Sequence, residues 1–442
     1  MTTTPSKITR EQTNAQELRF QPAIDQWARA FDPPRAQPLI QARTQLGLPV
    51  DVPIIASGHQ PTVFHPGIIA KLIALDQLAK ISGAHRLWIV PDQDIVDPAL
   101  IRMPHGSGND LEVRELRLGG STVVAPAALT APIEMDPDLP QELESLAQWI
   151  SGYEHEDSLA KQFSSAIIAM ICEQLDLDQP TILYASELMD SVGSELLDPM
   201  LDDPKSAIRA YNTAAERYPD AGVRPLSIDT SRIELPFWRL GSDSRSEVFV
   251  DPTHPHELDR SRLAPRGLAM TAIMRLLLCE CFIHGTGGYL YDQITTDWIQ
   301  DWLGQPLAPI VGASADVYLD LELPETPSVD HAVWRAHHAR HTPAMLSDPA
   351  ADAQKRELVG SIQDAKDLGD RPLAARRFRE LQDLLGRVRK QHAQELEALD
   401  QAVEMARSSQ HLLDLARDRT WAFPLYTDQQ LEQLKASIVD AF

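Results

Sequence analysis

The sequence predicts an α/β protein with a parallel-sheet core and an appended long helical arm. Short apolar runs of the buried-strand type alternate with apolar residues at helical spacing in the first three quarters of the chain. One strand, helix and strand follow each other within about 40 residues, as in a βαβ unit with parallel strands. From about residue 330 to 420 the chain is almost entirely helix-forming, which predicts the arm.

Composition and charge argue against several kinds of binding partner and cellular location. At 442 residues the chain can hold two or three domains, and its net charge of −24 argues against binding nucleic acid or an anionic membrane. Three cysteines form no disulfide framework, so a reducing compartment is expected. The first twenty residues lack the apolar core of a secretory signal, and no window approaches eighteen uninterrupted apolar residues. We therefore expect a cytoplasmic protein.

The first βαβ unit is the best-defined part of the pattern. "VPIIASG" predicts a buried strand, and "GIIAKLIALDQLAKISG" predicts a helix that ends at Gly83, a residue suited to a C-cap. "HRLWIVP" predicts the second buried strand. Because the two strands are parallel, the loops that follow them lie at the same edge of the sheet.

Further elements follow in order. Helices are predicted at "LAKQFSSAIIAMICEQL", "KSAIRAYNTAAERY" and "YLYDQITTDWIQDWLG", and another buried strand at "PTILYAS". "SRIELPFWRL" and "SEVFVDP" predict an antiparallel pair, and "APIVGASADVYLDLEL" one or two strands. "RGLAMTAIMRLLLCECFIHGTGG" predicts a helix followed by a strand that ends at a glycine cluster.

Four segments are predicted. Residues 1–50 form a polar segment with a scattered helical pattern and a proline-marked break at "DPPRAQP", and 51–329 form the α/β core, with a loop-rich insertion near 105–160. Residues 330–420 form a coiled-coil-like arm, and 421–442 a tail that returns to the core. The arm's seam has steps of three or four residues, at Leu381, Leu385, Val388, His392, Leu396, Leu399, Val403, Ala406, Gln410 and Leu413.

The junction "SGHQPTVFHPG" after the first strand is unusually polar for a short connection. Ligands of open α/β sheets bind where such loops meet helix N-termini. Pro66 suits the first helical turn, and His59, Gln60 and His65 would surround free backbone N–H groups. An anion site is predicted, with Gly58 and Gly67 close to the ligand. The alternative is a capped turn with solvent-facing histidines.

Two further clusters are candidates for the same edge. "WIVPDQDIVDP" places Asp92 and Asp94 after the second strand, where a carboxylate could hold an ammonium, act as a general base or help hold Mg²⁺. "CFIHGTGGYLYD" repeats the strand-to-helix geometry, with the candidate binding residues His284, Gly285, Thr286, Gly287 and Gly288. The alternatives are a solvated acidic turn and a glycine-rich loop used only for packing.

Basic and histidine-rich segments complete the candidates. Arg260, Arg262 and Arg266 precede a predicted helix and form a candidate phosphate clamp. "DHAVWRAHHARH" contains four histidines, but no spacing matches a closed zinc site, so no tightly bound metal is expected.

Taken together, the chain resembles the family of cysteine-adding enzymes (cysteine ligases) of bacillithiol biosynthesis. The family's opening strand, Gly-Gln-Gln-type turn and long helix are similar to "SGHQPTVFHPGIIAKLIALDQLAK", and its second strand with an acidic loop to "LWIVPDQDIVDP". Its late glycine turn is similar to "HGTGGYLYD", and its aromatic tail to "ARDRTWAFPLY". The order of elements matches over most of the chain.

The resemblance implies a Rossmann-like core akin to the sheets of class I nucleotidyl-transferases, a coiled-coil arm and a homodimer formed through that arm. It implies a reaction that joins the carboxylate of cysteine, or of another amino acid, to the amine of an amino-sugar conjugate. The residues that match the family's motifs are Gly58, His59, Gln60, Asp92, Asp94, Gly285, Gly287 and Gly288.

A mechanism is expected on this basis. Amide formation from a free carboxylate needs activation, most simply by ATP with Mg²⁺. His59 and His65 would then stabilise charge on the phosphates, Asp92 or Asp94 would anchor or deprotonate the amine, and Arg262 or Arg266 would bind a substrate carboxylate. Two alternatives stay open: a binding or scaffold protein of the same fold without chemistry, and a hydrolase whose histidines hold a metal.

Overall fold

The computed structural model describes residues 17–30, 37–321 and 328–442. These residues form two compact units. One unit contains residues 17–103, 114–319 and 419–442, and the other contains 104–113 and 320–418. Among the described residues no helix is long and apolar enough to cross a membrane. Most of the predicted proline break at "DPPRAQP" lies outside the described residues.

A six-stranded, mostly parallel sheet forms the core of the first unit, in the spatial order β1-β11-β10-β2-β3-β6. Its strands are β1 Glu17–Gln21, β2 Ile54–Gly58, β3 His85–Val90, β6 Thr181–Tyr184, β10 Cys281–His284 and β11 Ile310–Asp316. All neighbours pair in parallel except β1, which pairs antiparallel to β11. The predicted separate segment 1–50 is therefore wrong for β1, which is an edge strand of the sheet.

Helices cover both faces of the sheet, which is why its parallel strands read as continuous apolar runs. Their bounds are α1 Gln37–Gln45, α2 Pro66–Ser82, α3 Gln141–Ser151, α4 Leu159–Gln174, α5 Ala185–Ser191, α6 Ser194–Asp202, α7 Pro204–Arg217, α8 Gly267–Ile273, α9 Thr286–Leu303 and α15 Asp428–Ala441. Ile54 and Ile89 pack on the face of α8 and α9. The alternating residues Ile55 and Trp88 are buried towards the opposite face, where α2 contacts four strands.

Two small sheets accompany the main one. β7 Ile233–Leu240 pairs antiparallel with β8 Arg245–Val250, as predicted, and also with β9 Leu263–Pro265. In the predicted insertion, β4 Leu100–His105 pairs with β5 Glu112–Arg117.

The second unit is helical. Its helices are α10 Val329–Ala339, α11 Pro349–Asp367, α12 Arg371–Gln391, α13 Ala393–Ser408 and α14 Gln410–Ala416. The predicted continuous seam is interrupted next to its two polar positions, His392 and Gln410. His392 ends α12, and its Nδ1 lies 2.8 Å from Glu395 Oε1. The apolar seam residues pack within the unit instead, in clusters that include Val388, Leu396 and Val403.

Candidate functional site

The order of the parallel strands reverses between β2 and β10. β3 and β6 follow β2 on one side, and β10 and β11 lie on the other. In open parallel sheets, the crevice beyond the strands' carboxyl ends at such a reversal is where ligands bind. A cavity of about 290 Å³ lies there, lined by residues that follow both strands, including His59 and His284. The prediction that the two junctions converge on one cavity is confirmed.

The first junction brings its predicted residues to this cavity, namely Gly58, His59, Gln60, His65 and Gly67. Gly58 is needed because a Cβ there would lie 2.2 Å from the Ile89 carbonyl oxygen on β3. His59 is half-buried and packs edge-on against Phe64. Burial, together with Lys71 and His65 nearby, holds the pKa of His59 well below its ordinary value, so the ring is neutral.

The prediction of free backbone N–H groups at this junction is wrong. His65 is the N-cap of α2, and its Nδ1 accepts a hydrogen bond from the Gly67 N–H at 3.1 Å. The Ile68 N–H donates to the His65 carbonyl at 2.8 Å, and Pro66 has no N–H to offer. The capped-turn alternative therefore holds for His65, whose ring both caps the helix and lines the cavity.

The second junction has an open helix N-terminus. Gly285 is the N-cap of the 18-residue helix α9 and supplies no side-chain cap. The Tyr289 N–H donates to the Gly285 carbonyl, but no described group accepts from the N–H groups of Thr286, Gly287 and Gly288. The buried hydroxyl of Thr286 also has no hydrogen-bond partner among the described residues. Gly285, Thr286, Gly287 and Gly288 all line the cavity.

His284 is held by a buried carboxylate that the sequence reasoning missed. Its Nε2 lies 2.9 Å from Asp292 Oδ2, and Asp292 also accepts from Arg275 at 2.9 Å and from Thr271 at 2.5 Å. Burial alone would raise the pKa of Asp292, but Arg275 and then His284 lower it to about 2. Burial keeps the pKa of His284 below its ordinary value in spite of Asp292. The ring is therefore neutral, donates from Nε2 and keeps a lone pair on Nδ1.

Two cations of the cavity were also missed. Lys71 lies on α2 with 4% of its surface exposed, and its Nζ donates to the Gly58 carbonyl at 2.5 Å. Burial lowers the pKa of Lys71 to about 7. Arg419 donates to Asp316 Oδ1 at 2.6 Å. Since Asp316 also pairs with Arg19, two guanidinium groups share one carboxylate.

A signal existed for Lys71 and Asp292. Lys71 is the only charged residue among the first ten of α2, where an exposed helix would alternate charged and apolar residues. Asp292 is likewise the only charged residue among the first ten of α9.

The carboxylates of the acidic loop, Asp92 and Asp94, are not among the residues that line this cavity. Both carboxylate oxygens of Asp92 accept from Ser186, from its N–H at 2.8 Å and its hydroxyl at 2.5 Å. Burial raises the pKa of Asp92 to about 6. Asp94 accepts from Arg245 at 2.6 Å and from Gln60 at 3.5 Å. The structure thus places Asp92 as a partner of α5 and Asp94 behind the cavity-lining Gln60.

The predicted phosphate clamp does not form, because each guanidinium has a partner elsewhere. Arg260 pairs with Asp198 at 2.6 Å, and Arg262 donates to the Gly241 carbonyl at 3.3 Å. Arg266 pairs at 2.8 Å with Glu234 and lies over the Trp238 ring. Arg262 and Arg266 are not among the residues that line the cavity.

The described lining contains no Asp or Glu side chain, although the chain has 64 of them. It combines an amine, a guanidinium, three imidazoles and one open helix N-terminus. Because phosphate binds such N-termini and cations, the lining suits a phosphate or carboxylate group. Among the described residues no cluster of His, Cys, Asp or Glu could hold a metal ion.

Comparison with models of known protein families gives no match, and comparison with curated proteins gives none either. The resemblance to cysteine ligases therefore stays a prediction.

Proposed function

We propose that this cavity binds the phosphate groups of a nucleotide and that the protein is an ATP-dependent ligase that joins an amino-acid carboxylate to an amine, with an amino-sugar conjugate as the acceptor. The observation that carries the proposal is the open N-terminus of α9 facing a lining without carboxylates. The strand reversal between β2 and β10 supports the finer proposal of a Rossmann-like core. Homodimerisation through the helices of the second unit stays a prediction.

The lining fits a phosphate group. The N–H groups of residues 286–288 and the unpartnered Thr286 hydroxyl supply hydrogen-bond donors. Arg419 supplies a fixed positive charge, since Asp316 and Ser314 hold its guanidinium at 2.6 and 3.4 Å. ATP would supply the activation of the carboxylate. Mg²⁺ prefers carboxylate oxygens, and the described lining has none, so it offers no ligand set for a protein-held Mg²⁺.

The His284–Asp292 pair supports an enzyme rather than a binding protein. A neutral imidazole with a free lone pair can take the proton that an attacking amine loses. Asp292, ionised and buried, fixes the ring's orientation and stabilises the imidazolium that forms. A pure binding site for an anion gains nothing from a buried carboxylate beside it. This base replaces Asp92, whose carboxylate is directed to Ser186.

Calorimetric titration with inorganic phosphate and with ATP tests the phosphate site. Arg419→Gln should weaken binding by about tenfold to a hundredfold, because one charge-assisted contact contributes about 1.5–3 kcal/mol. Absence of binding by the wild type at millimolar concentrations would overturn the proposal.

Incubation with ATP, Mg²⁺, cysteine and candidate amino sugars tests the reaction. Formation of AMP or ADP together with an amide product is expected, and Asp292→Asn should abolish it while phosphate still binds. Phosphate binding without turnover of any amine would instead support the binding-protein alternative.

A further inference from the structure

Lys71 is buried at the cavity and forms no ion pair with any residue that the structure describes. Among the described residues, Lys80 and Lys161 form ion pairs, whereas the Lys71 amine contacts the Gly58 carbonyl and lies 5.5 Å from the centre of the Trp88 ring. No carboxylate in the described lining offsets a charge there. The site thus favours the neutral amine, in agreement with the lowered pKa of Lys71.

A neutral amine held in this way is a nucleophile. One N–H donates to Gly58, which fixes the nitrogen, and the lone pair remains for attack on a carbonyl carbon. An ordinary exposed lysine, with a pKa of about 10.4, is neutral in under about 1% of molecules at pH 8. Burial therefore presents an unprotonated amine to a ligand in the cavity, whereas a lysine on the protein surface would present an ammonium ion.

We propose that Lys71 Nζ is an acylation site for acyl phosphates, with the phosphate docked on the open N-terminus of α9 and on Arg419. This inference rests on the proposed phosphate site. Thr286 to Gly288, Arg419 and Lys71 line the same cavity, so a phosphate bound there holds its acyl group beside the amine. Cδ of Lys71 lies 3.8 Å from the position that a Cβ on Gly285 would take, which places the lysine stem against the junction.

The step is a simple acyl transfer. The Nζ lone pair attacks the carbonyl carbon, a C–N bond forms, and the bond between carbon and the phosphate oxygen breaks. The leaving phosphate takes the bond's electron pair and the amine's proton, so amine and acyl phosphate become amide and hydrogen phosphate. The product is a neutral amide that can no longer take up a proton, and its acyl group fills part of the cavity's volume. Acylation should therefore block phosphate binding.

Lys80 is a matched control on the same helix. Its side chain is 42% exposed and pairs with Asp76 at 2.7 Å. A reagent that selects lysines by exposure should modify Lys80 first, whereas one that docks its phosphate in the cavity should modify Lys71 first.

The full chain is incubated with acetyl phosphate at pH 8, and acetylation of each lysine is followed by peptide mass spectrometry. Lys71 should react at least about tenfold faster than Lys80, because a phosphate docked in the cavity holds the acyl group beside the Lys71 amine. Inorganic phosphate and Arg419→Gln should slow the reaction at Lys71 and leave Lys80 unchanged. The N-hydroxysuccinimide ester of acetate, which has no phosphate, should acetylate Lys80 first.

Equal rates at Lys71 and Lys80, or a Lys71 rate insensitive to phosphate, would overturn the inference. If phosphate binds in calorimetry and Lys71 still stays unmodified, only this inference fails. If phosphate does not bind, the proposed function fails with it.

Discussion

The cavity and the basic segment 260–266 lie in the same unit and carry similar cations with different partners. In the segment, Arg260 and Arg266 each meet a carboxylate within 3 Å. In the cavity, Lys71 has no carboxylate partner in the described part of the chain, and Arg419 shares Asp316 with Arg19. A cation that is paired with a carboxylate has already lost hydration and is neutralised by that partner. An added ligand anion would therefore stabilise it little. A basic side chain without a carboxylate of its own therefore indicates a candidate anion site better than a count of basic residues does.

Replacing Lys71 gives the largest expected effect on stability. Lys71→Met keeps the length and apolar stem while removing a desolvated amine, so the free energy of unfolding at pH 7 should rise by about 2–4 kcal/mol. Phosphate binding should weaken in the same variant. Urea unfolding measures the first effect, and Lys80→Met, which removes only an exposed ion pair, is the control, with an expected change below about 1 kcal/mol. A less stable Lys71→Met variant would show that the amine belongs to the structure and not to the site.

The same variant has a pH dependence with a defined sign. The pKa of Lys71 is about 7 in the folded chain, against 10.5 ordinarily, so between these values the unfolded chain holds the extra proton. Wild-type stability should therefore gain up to about 1.4 kcal/mol per pH unit from this group as the pH rises above 7. The advantage of Lys71→Met should shrink accordingly between pH 7 and 9 in urea titrations, and a constant difference would contradict the lowered pKa.

Two adjacent glycines at the cavity allow the effect of packing on stability to be measured separately from the effect of helix propensity. A Cβ on Gly288 would lie 2.6 Å from His284 Nδ1, whereas one on Gly287 would have nothing within 4 Å. Gly288→Ala should displace the imidazole from Asp292 and cost about 1–3 kcal/mol. Gly287→Ala should instead stabilise the helix by about 0.5–1 kcal/mol. Thermal unfolding of both variants tests this pair, and equal changes would show that His284 is free to move.

The smallest effect is expected in the basic segment. Arg262 donates only to the Gly241 carbonyl and is exposed, so Arg262→Gln should change phosphate affinity by less than about twofold, because distant sites act independently. Calorimetric titration beside Arg419→Gln makes the comparison direct. A loss as large as that of Arg419→Gln would restore the predicted clamp.

Sequence reasoning located the cavity because its two junctions are local patterns. Each has a buried strand, glycines and a helix start within about fifteen residues, and parallel pairing brings such junctions to one edge. The strand β1 escaped because "ELRFQ" carries alternating exposure at a sheet edge and no continuous apolar run. The arm's seam was extended through His392 because a period in sequence does not reveal where a polar residue ends a helix.

The partners of charged groups were the main failure. Arg266 meets Glu234 across 32 residues, and Arg419 meets Asp316 across 103. No local sequence pattern reveals such pairs. The clamp is therefore predicted from neighbouring arginines, although each of them has a partner elsewhere in the fold. The prediction that Asp92 lies in the site failed for the same reason, because its partner Ser186 lies 94 residues away along the chain.

The bond between Arg419 and Asp316 also sets an order of events during synthesis. A chain grows from its N-terminus, and its domains begin to fold as they emerge. Every strand of the main sheet precedes Arg419 by more than a hundred residues. A nascent chain can thus assemble the sheet while one wall of the cavity is still missing its guanidinium. Arg419 would then reach the cavity only after the sheet that carries Asp316 has formed.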